Sequence, residues 1–138
     1  MQDQALINEL KKFEGYKESV YLDHLGFPTC GWGHHLYPGS HVSRECCEEF
    51  FKADIENATK DYQKLPKNYK DHLNPARMQV ITHLIFWIGF PKVLMFKKMW
   101  KAIEADDFDA ASNELTNSKL SEQVPIRCMY LASQLRKG

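Results

Sequence analysis

The sequence predicts an α+β fold in which a small β region sits between one N-terminal helix and a mostly helical remainder. Three observations carry that reading. Apolar residues recur at helical spacing before Gly15 and again after Ser43. The stretch between them is aromatic and punctuated by Gly26, Pro28, Gly31 and Gly33. Finally, 138 residues with 43% hydrophobic composition suffice for a packed core without metal or disulfide staples.

Leu6, Ile7, Leu10 and Phe13 lie on one face of a helix from about residue 3 to residue 14, which Gly15 terminates. Glu14 thus stands at a helix end, where the chain changes structure. Residues 16–35 then predict a hairpin or meander of two to three short strands. After Pro38-Gly39, Ser43 suits an N-cap and Glu45 the positive end of a helix dipole. Cys47, Phe50, Phe51, Ile55, Ala58 and Tyr62 share a face of the helix that follows, which ends before Pro66. Asp54 falls on that same face and needs a partner, because an unpaired buried charge is costly.

The polar run KNYKDHL leads to Asn74-Pro75, an N-cap and first helical residue. Met78, Ile81, Leu84, Ile85 and Ile88 form the inner face of the next helix, stopped by Gly89 and Pro91. Further helices are expected at about 92–105, at 107–116 and from Pro125 onward. The chain reads as a single domain, 1–138, in three parts: 1–42 (helix plus β lobe), 43–66 (connecting helix) and 67–138 (helical lobe).

Lysines and arginines number 18, as do the acidic residues, so the formal net charge is zero. A nucleic-acid binder normally carries a basic excess, and none is expected as a partner. Cys30, Cys46, Cys47 and Cys128 show no paired C-x-x-C spacing and are expected as reduced, mostly buried thiols. The N-terminus lacks an apolar signal core, and no run approaches the ~20 apolar residues of a membrane span. Synthesis in a cytoplasm, with no membrane insertion, is the expectation. His24, His34, His35, His41, Cys46 and Cys47 form no H-E-x-x-H or C-x-x-C element, so no metal or other cofactor is expected.

Glu14, Asp23 and Thr29 are the polar residues with a chemical rationale. Glycoside hydrolysis needs a protonated carboxyl at the leaving oxygen and a second carboxylate to hold water or stabilise an oxocarbenium-like centre. Two acids nine residues apart are common, and alone they do not distinguish a site from solvated surface. Their setting does. F-E-G, Y-L-D and G-F-P-T-C-G-W-G-H together resemble the phage lysozyme family of the T-even type, glycoside hydrolase family 24. Glu14, Asp23, Thr29 and Gly31-Trp32-Gly33-His34 stand at that family's spacing. Phe86, Gly89, Phe96, Ala111, Ser118, Pro125 and Arg127 continue the register to the end of the chain.

The resemblance implies a lysozyme-like fold, with a small β lobe joined by a long helix to a larger helical lobe. It also implies a muramidase acting on peptidoglycan, at the β-1,4 bond between N-acetylmuramic acid and N-acetylglucosamine. Glu14 would protonate the glycosidic oxygen, while Asp23 and Thr29 hold the attacking water on the opposite face. Such an inverting site places its carboxyls roughly 6.5–9.5 Å apart. Gly31, His35 and Phe86 are implied as substrate-binding residues. Arg127 is implied as active-site support; a cation beside a general acid opposes its proton, so an orienting role is expected. His34 and Asp54 are implied as a structural ion pair. A monomeric endolysin is implied, held in the host cytoplasm and reaching the wall through a holin-made pore. A tail-associated lysozyme and a catalytically weak wall-binding module are the alternatives.

Four positions depart from the family pattern. Trp87 follows Phe86 where Asn or Gln is usual, and Leu120 replaces a tryptophan near Arg127. Met99 and Glu114 replace small polar residues associated with saccharide binding. Trp87 fits either a sugar-stacking platform or a core residue.

Overall fold

The computed structural model describes residues 3–138; residues 1 and 2, counted in the expected segment 1–42, lie outside them. The chain divides into two compact units, one ending at Cys46 and the other running from Cys47 to Gly138.

In the first unit, α1 (Gln4–Glu14) begins at Asp3, whose carboxylate accepts the Ala5 N–H at 2.9 Å. It ends where Gly15 turns to φ 69°, a conformation that costs a side-chain-bearing residue. Three strands follow, β1 (Lys17–Leu22), β2 (Pro28–Gly31) and β3 (His34–His35), paired antiparallel in that order. The register sets Tyr21 opposite Thr29, and Thr29 opposite His35. An irregularity between Lys17 and Tyr21 adjusts the first pairing. The expected segregated β region is present, as a three-stranded meander.

Ser43 caps α2 (Arg44–Gln63), accepting the Cys46 N–H on its hydroxyl at 3.2 Å. The boundary between the units falls in the first turn of this helix. From α2 the second unit buries Ala58 and Tyr62. The polar run expected as a connection forms a single helical turn, α3 (Lys67–Lys70), started by Pro66. Polarity had argued against a helix there; a fixed proline φ and a tyrosine facing Trp100 favour one.

The next helix, α4 (Pro75–Ile88), has its expected cap, with Asn74 accepting the Arg77 N–H at 2.9 Å and Gly89 closing the far end. The helix expected over 92–105 is two, α5 (Phe90–Leu94) and α6 (Lys97–Glu104), broken at Met95-Phe96. Then come α7 (Phe108–Thr116), the unforeseen short α8 (Lys119–Gln123) and α9 (Pro125–Lys137).

The core of the second unit centres on Trp100, fully buried, stacked on Tyr69 at 4.5 Å and donating its indole N–H to the Val93 carbonyl at 2.9 Å. Ser112 is buried too, and its hydroxyl satisfies itself between the Phe108 and Ala132 carbonyls, tying α7 to α9. Arg77 reaches from α4 to the Leu135 and Arg136 carbonyls at 2.8 and 3.0 Å, neutralising the negative end of α9. Its guanidinium also covers the Phe108 ring at 3.5 Å.

All four cysteines are free thiols, but the expectation that most of them are buried is not met. Only Cys128 is fully buried; Cys46 and Cys47, in the first turn of α2, are exposed, and Cys30 is half-buried. On α2 the buried positions are Ala58 and Tyr62, toward the far end of the helix, so its first turn shelters neither thiol. Among the described residues no helix is long and apolar enough to cross a membrane.

Candidate active site

In the first unit the residues expected to carry chemistry are gathered by one turn and one hairpin. Asp23 follows β1 and organises the turn to β2. Its Oδ1 accepts the N–H groups of Leu25 and Phe27 at 2.9 and 2.8 Å, while backbone bonds between Asp23 and Phe27 and from Gly26 to Asp23 close the loop. Its Oδ2 faces His35 Nε2 at 3.0 Å. The carboxylate is 15% exposed and His35 47%, so the pair sits at the surface with Asp23 on the sheltered side. Phe27 packs its ring against the His35 imidazole, centroids 5.7 Å apart.

The Phe27 N–H, helped by that of Leu25 and by His35, holds the Asp23 carboxyl below its ordinary value of 3.8, against a smaller opposing effect of desolvation. Because the folded value is the lower one, the turn's contribution to stability is complete above pH 3.8 and is lost as pH falls through that lower value. A two-dimensional NMR titration of the Leu25 and Phe27 amides should therefore give a midpoint below 3.8. A midpoint at or above it would show that these bonds do not hold the ionised form.

Thr29 is the most buried polar residue of this unit, 1% exposed. Its place in the middle of β2, paired with strands on both sides, makes that burial possible. Its hydroxyl donates to the Phe27 carbonyl at 2.8 Å, so its lone pairs remain available as acceptors.

Glu14 meets the hairpin at the Trp32-Gly33 turn. A Cβ on Gly33 would lie 2.5 Å from Glu14 Oε2 and 2.9 Å from its Cδ, so the carboxylate rests directly over a bare Cα. Gly33 also holds φ at 73°. Next to it, Trp32 packs on Tyr16 at 4.5 Å and beneath the Lys11 ammonium at 4.5 Å. Four residues of the G-W-G-H-H run thus have a mechanical task. Trp32 clamps the turn to α1, Gly33 clears room for Glu14, and His35 reaches Asp23. Gly31, at the end of β2, supplies positive φ at 61° before the turn. The aromatic clamp and the His35–Asp23 pair escaped sequence reasoning; strand register, which sets Thr29 opposite His35, was the signal that could have found the latter.

His34 lies in the first unit and Asp54 on α2 in the second, each on the surface. Phe86 and Arg127 also belong to the second unit. Phe86 is 39% exposed and meets Phe51 edge-to-face at 5.7 Å. Trp87 is half-buried against the core, and the Arg127 guanidinium covers its ring at 4.3 Å. One face of that indole is therefore occupied, which favours the packing role over an open stacking platform. Met99 is fully buried and Leu120 packs on the core.

A carboxyl at a helix end, a second carboxylate bonded to backbone amides and a buried threonine are the residue types that hydrolysis by two carboxyls calls for. The fold is α+β and lysozyme-like. Residues 11–126 match the phage lysozyme family. The chain is also similar to the probable T4-type lysozyme 1 of Dictyostelium discoideum, 27% identical across 94% of this chain and 92% of that one. The chain belongs to the phage lysozyme family. It is a glycoside hydrolase of the lysozyme type, a muramidase-like peptidoglycan hydrolase.

The Gly33 geometry makes a test of the hairpin's part in this activity. G33A places a Cβ where Glu14 now lies and forces an alanine to φ 73°. The backbone cost is about 1–2 kcal/mol, and a carboxyl displaced by about 1 Å lowers kcat on the order of a hundredfold. Turbidity clearing of permeabilised Gram-negative cells, alongside thermal melts, would separate the two effects. Unchanged clearing would show that Glu14 does not depend on this turn.

Proposed function

We propose that the chain is an inverting muramidase that cleaves the β-1,4 bond between N-acetylmuramic acid and N-acetylglucosamine. Glu14 protonates the departing glycosidic oxygen, and Asp23 with Thr29 holds the water that attacks the anomeric carbon from the opposite side. The observation that carries this reading is the state of Asp23. A base must be ionised while the acid is protonated, and three hydrogen bonds keep the Asp23 carboxyl below the ordinary carboxylate range. Thr29, buried in β2, has acceptor capacity to spare for the water. Gly31 and His35, in the same unit as the acid and the base, lie on the path of the glycan.

The test is the product. Digestion of purified peptidoglycan, borohydride reduction and mass spectrometry should give fragments ending in muramitol. Proton NMR at early times should show the α-anomer at the new reducing end. Glucosaminitol ends or anhydro-muramyl products would assign a different bond or mechanism, and a β-anomer would assign retention.

The biological role follows as an endolysin. The protein accumulates in the host cytoplasm as a monomer and reaches the wall through a holin-made pore. Membership of a phage family supports this. Expression in a bacterium should be tolerated until a holin is co-expressed, when the culture clears. Clearing without a holin would point to another route to the wall.

A further inference from the structure

Arg127, in the first turn of α9, meets α4 on two sides. Its flat face lies over Trp87 at 4.3 Å, and its Nε donates to His83 Nε2 at 2.9 Å. These contacts occupy one face and one edge of the guanidinium and fix its plane. Among the described residues no carboxylate pairs with it, so its charge is uncompensated. Burial, and then the Arg127 charge, hold the His83 ring below the ordinary histidine value of 6.5. At neutral pH the arginine is therefore the one cation of the pair.

Arg127 and His83 border a cavity of about 440 Å³ whose apolar walls are Phe51, Ile55 and Ala58 of α2 and Phe86 of α4. All six residues belong to the second unit. The volume falls in the range of small-molecule sites, roughly 300–1,000 Å³, which combine apolar walls with a few placed polar groups. Phe51, Ile55 and Phe86 are 54%, 42% and 39% exposed, so the walls present apolar surface for a ligand to cover. Beyond Ala58 and Phe86 a second cavity is lined by Asp54 and Asp61. Those carboxylates disfavour an anion at that end and leave the Arg127 end for it.

We propose that this groove binds a medium-chain fatty acid, with the acyl chain along Phe51, Ile55 and Phe86 and the carboxylate on the two Nη groups of Arg127. An apolar groove alone would take any hydrophobe, and a lone arginine any anion. A cation at one end of an apolar groove selects a molecule that joins the two. The Nη pair matches a carboxylate through two parallel hydrogen bonds, and a guanidinium already set in its plane has less rotamer entropy to lose in forming them. Binding of this kind is separate from hydrolysis and uses no residue before Cys47.

The experiment titrates the full chain at neutral pH with hexanoate, octanoate and decanoate, each below its micelle concentration, by calorimetry and NMR. Binding should saturate, and the Ile55 methyl and Arg127 Nε–H signals should move together with one Kd. Affinity should rise about tenfold for every two methylenes added, as chain carbons leave water. R127Q should weaken decanoate about tenfold while leaving decanol, which has no charge, within about twofold. Should R127Q fail to fold, the wild type decides: decanol or decyltrimethylammonium binding as tightly as decanoate overturns the proposal. So do a flat chain-length series, Ile55 shifts without Arg127 shifts, and an R127Q protein that holds decanoate as the wild type does. Binding to phosphatidylglycerol vesicles without binding of monomeric decanoate would assign a membrane surface instead. Shifts of the same signals by an N-acetylglucosamine oligomer alone would assign a saccharide, and shifts with protein concentration alone a second copy of the chain; each of these overturns the fatty-acid site.

Discussion

Replacement of Glu14 by glutamine is expected to abolish wall hydrolysis while leaving the protein folded. The amide keeps the size of the side chain and its place over Gly33, but it has no proton to give the leaving oxygen. Loss of a positioned general acid costs on the order of 10²–10⁴ in rate. Glu14 is exposed, so its exchange should shift stability by no more than about 0.5 kcal/mol. The check is clearing of permeabilised cells and release of reducing ends, beside circular dichroism and a thermal melt. More than a tenth of the wild-type rate in a folded E14Q protein would move the acid's role elsewhere.

The largest effect on stability is expected at Trp100. W100A removes a side chain with no exposed surface, its stacking partner on Tyr69 and its bond to the Val93 carbonyl. Cavity formation of this kind costs about 3–5 kcal/mol, against a typical total of about 5–15 kcal/mol. For a unit the size of residues 47–138, each kcal/mol is worth about 4–8 °C. A fall in Tm of more than about 10 °C is thus expected. W100F should recover most of it, because the ring still stacks and only the N–H is lost. A fall of a few degrees in W100A would mean that the site collapses and refills.

Much of this architecture was legible from local chemistry. Asn74-Pro75 marked the start of α4, Gly89 its end, Ser43 the start of α2 and Gly15 the end of α1, because caps and breakers act within a few residues of themselves. The short helices were less legible. The turn at Lys67–Lys70 was hidden by its polarity, and the break between α5 and α6 by continuous apolar spacing across Met95-Phe96. Neither depends on periodicity alone; each depends on what Trp100 and Tyr69 pack against.

The catalytic candidates show the same divide. Glu14, Asp23 and Thr29 were recognisable by motif, whereas their physical support was not. His35 bonds to Asp23 through strand register, and Trp32 clamps to Lys11 and Tyr16 across the turn; in the second unit, separately, His83 meets Arg127 from another helix. Such pairings join residues separated by 12 to 44 positions. No local pattern encodes them. Trp87 remained open between two readings until the guanidinium over its ring was seen.

The turn built on Asp23 bears on how relatives of this enzyme should be read. One oxygen of that carboxylate is committed to the Leu25 and Phe27 amides, a task that an asparagine carbonyl could also perform. A descendant that had given up hydrolysis would still be held to Asp or Asn at this place, merely to keep its hairpin. Among the described residues of its unit, Glu14 has no such second hydrogen bond. For telling working enzymes from inactive descendants, the glutamate is therefore the informative letter, and the aspartate, although proposed as the base, says less.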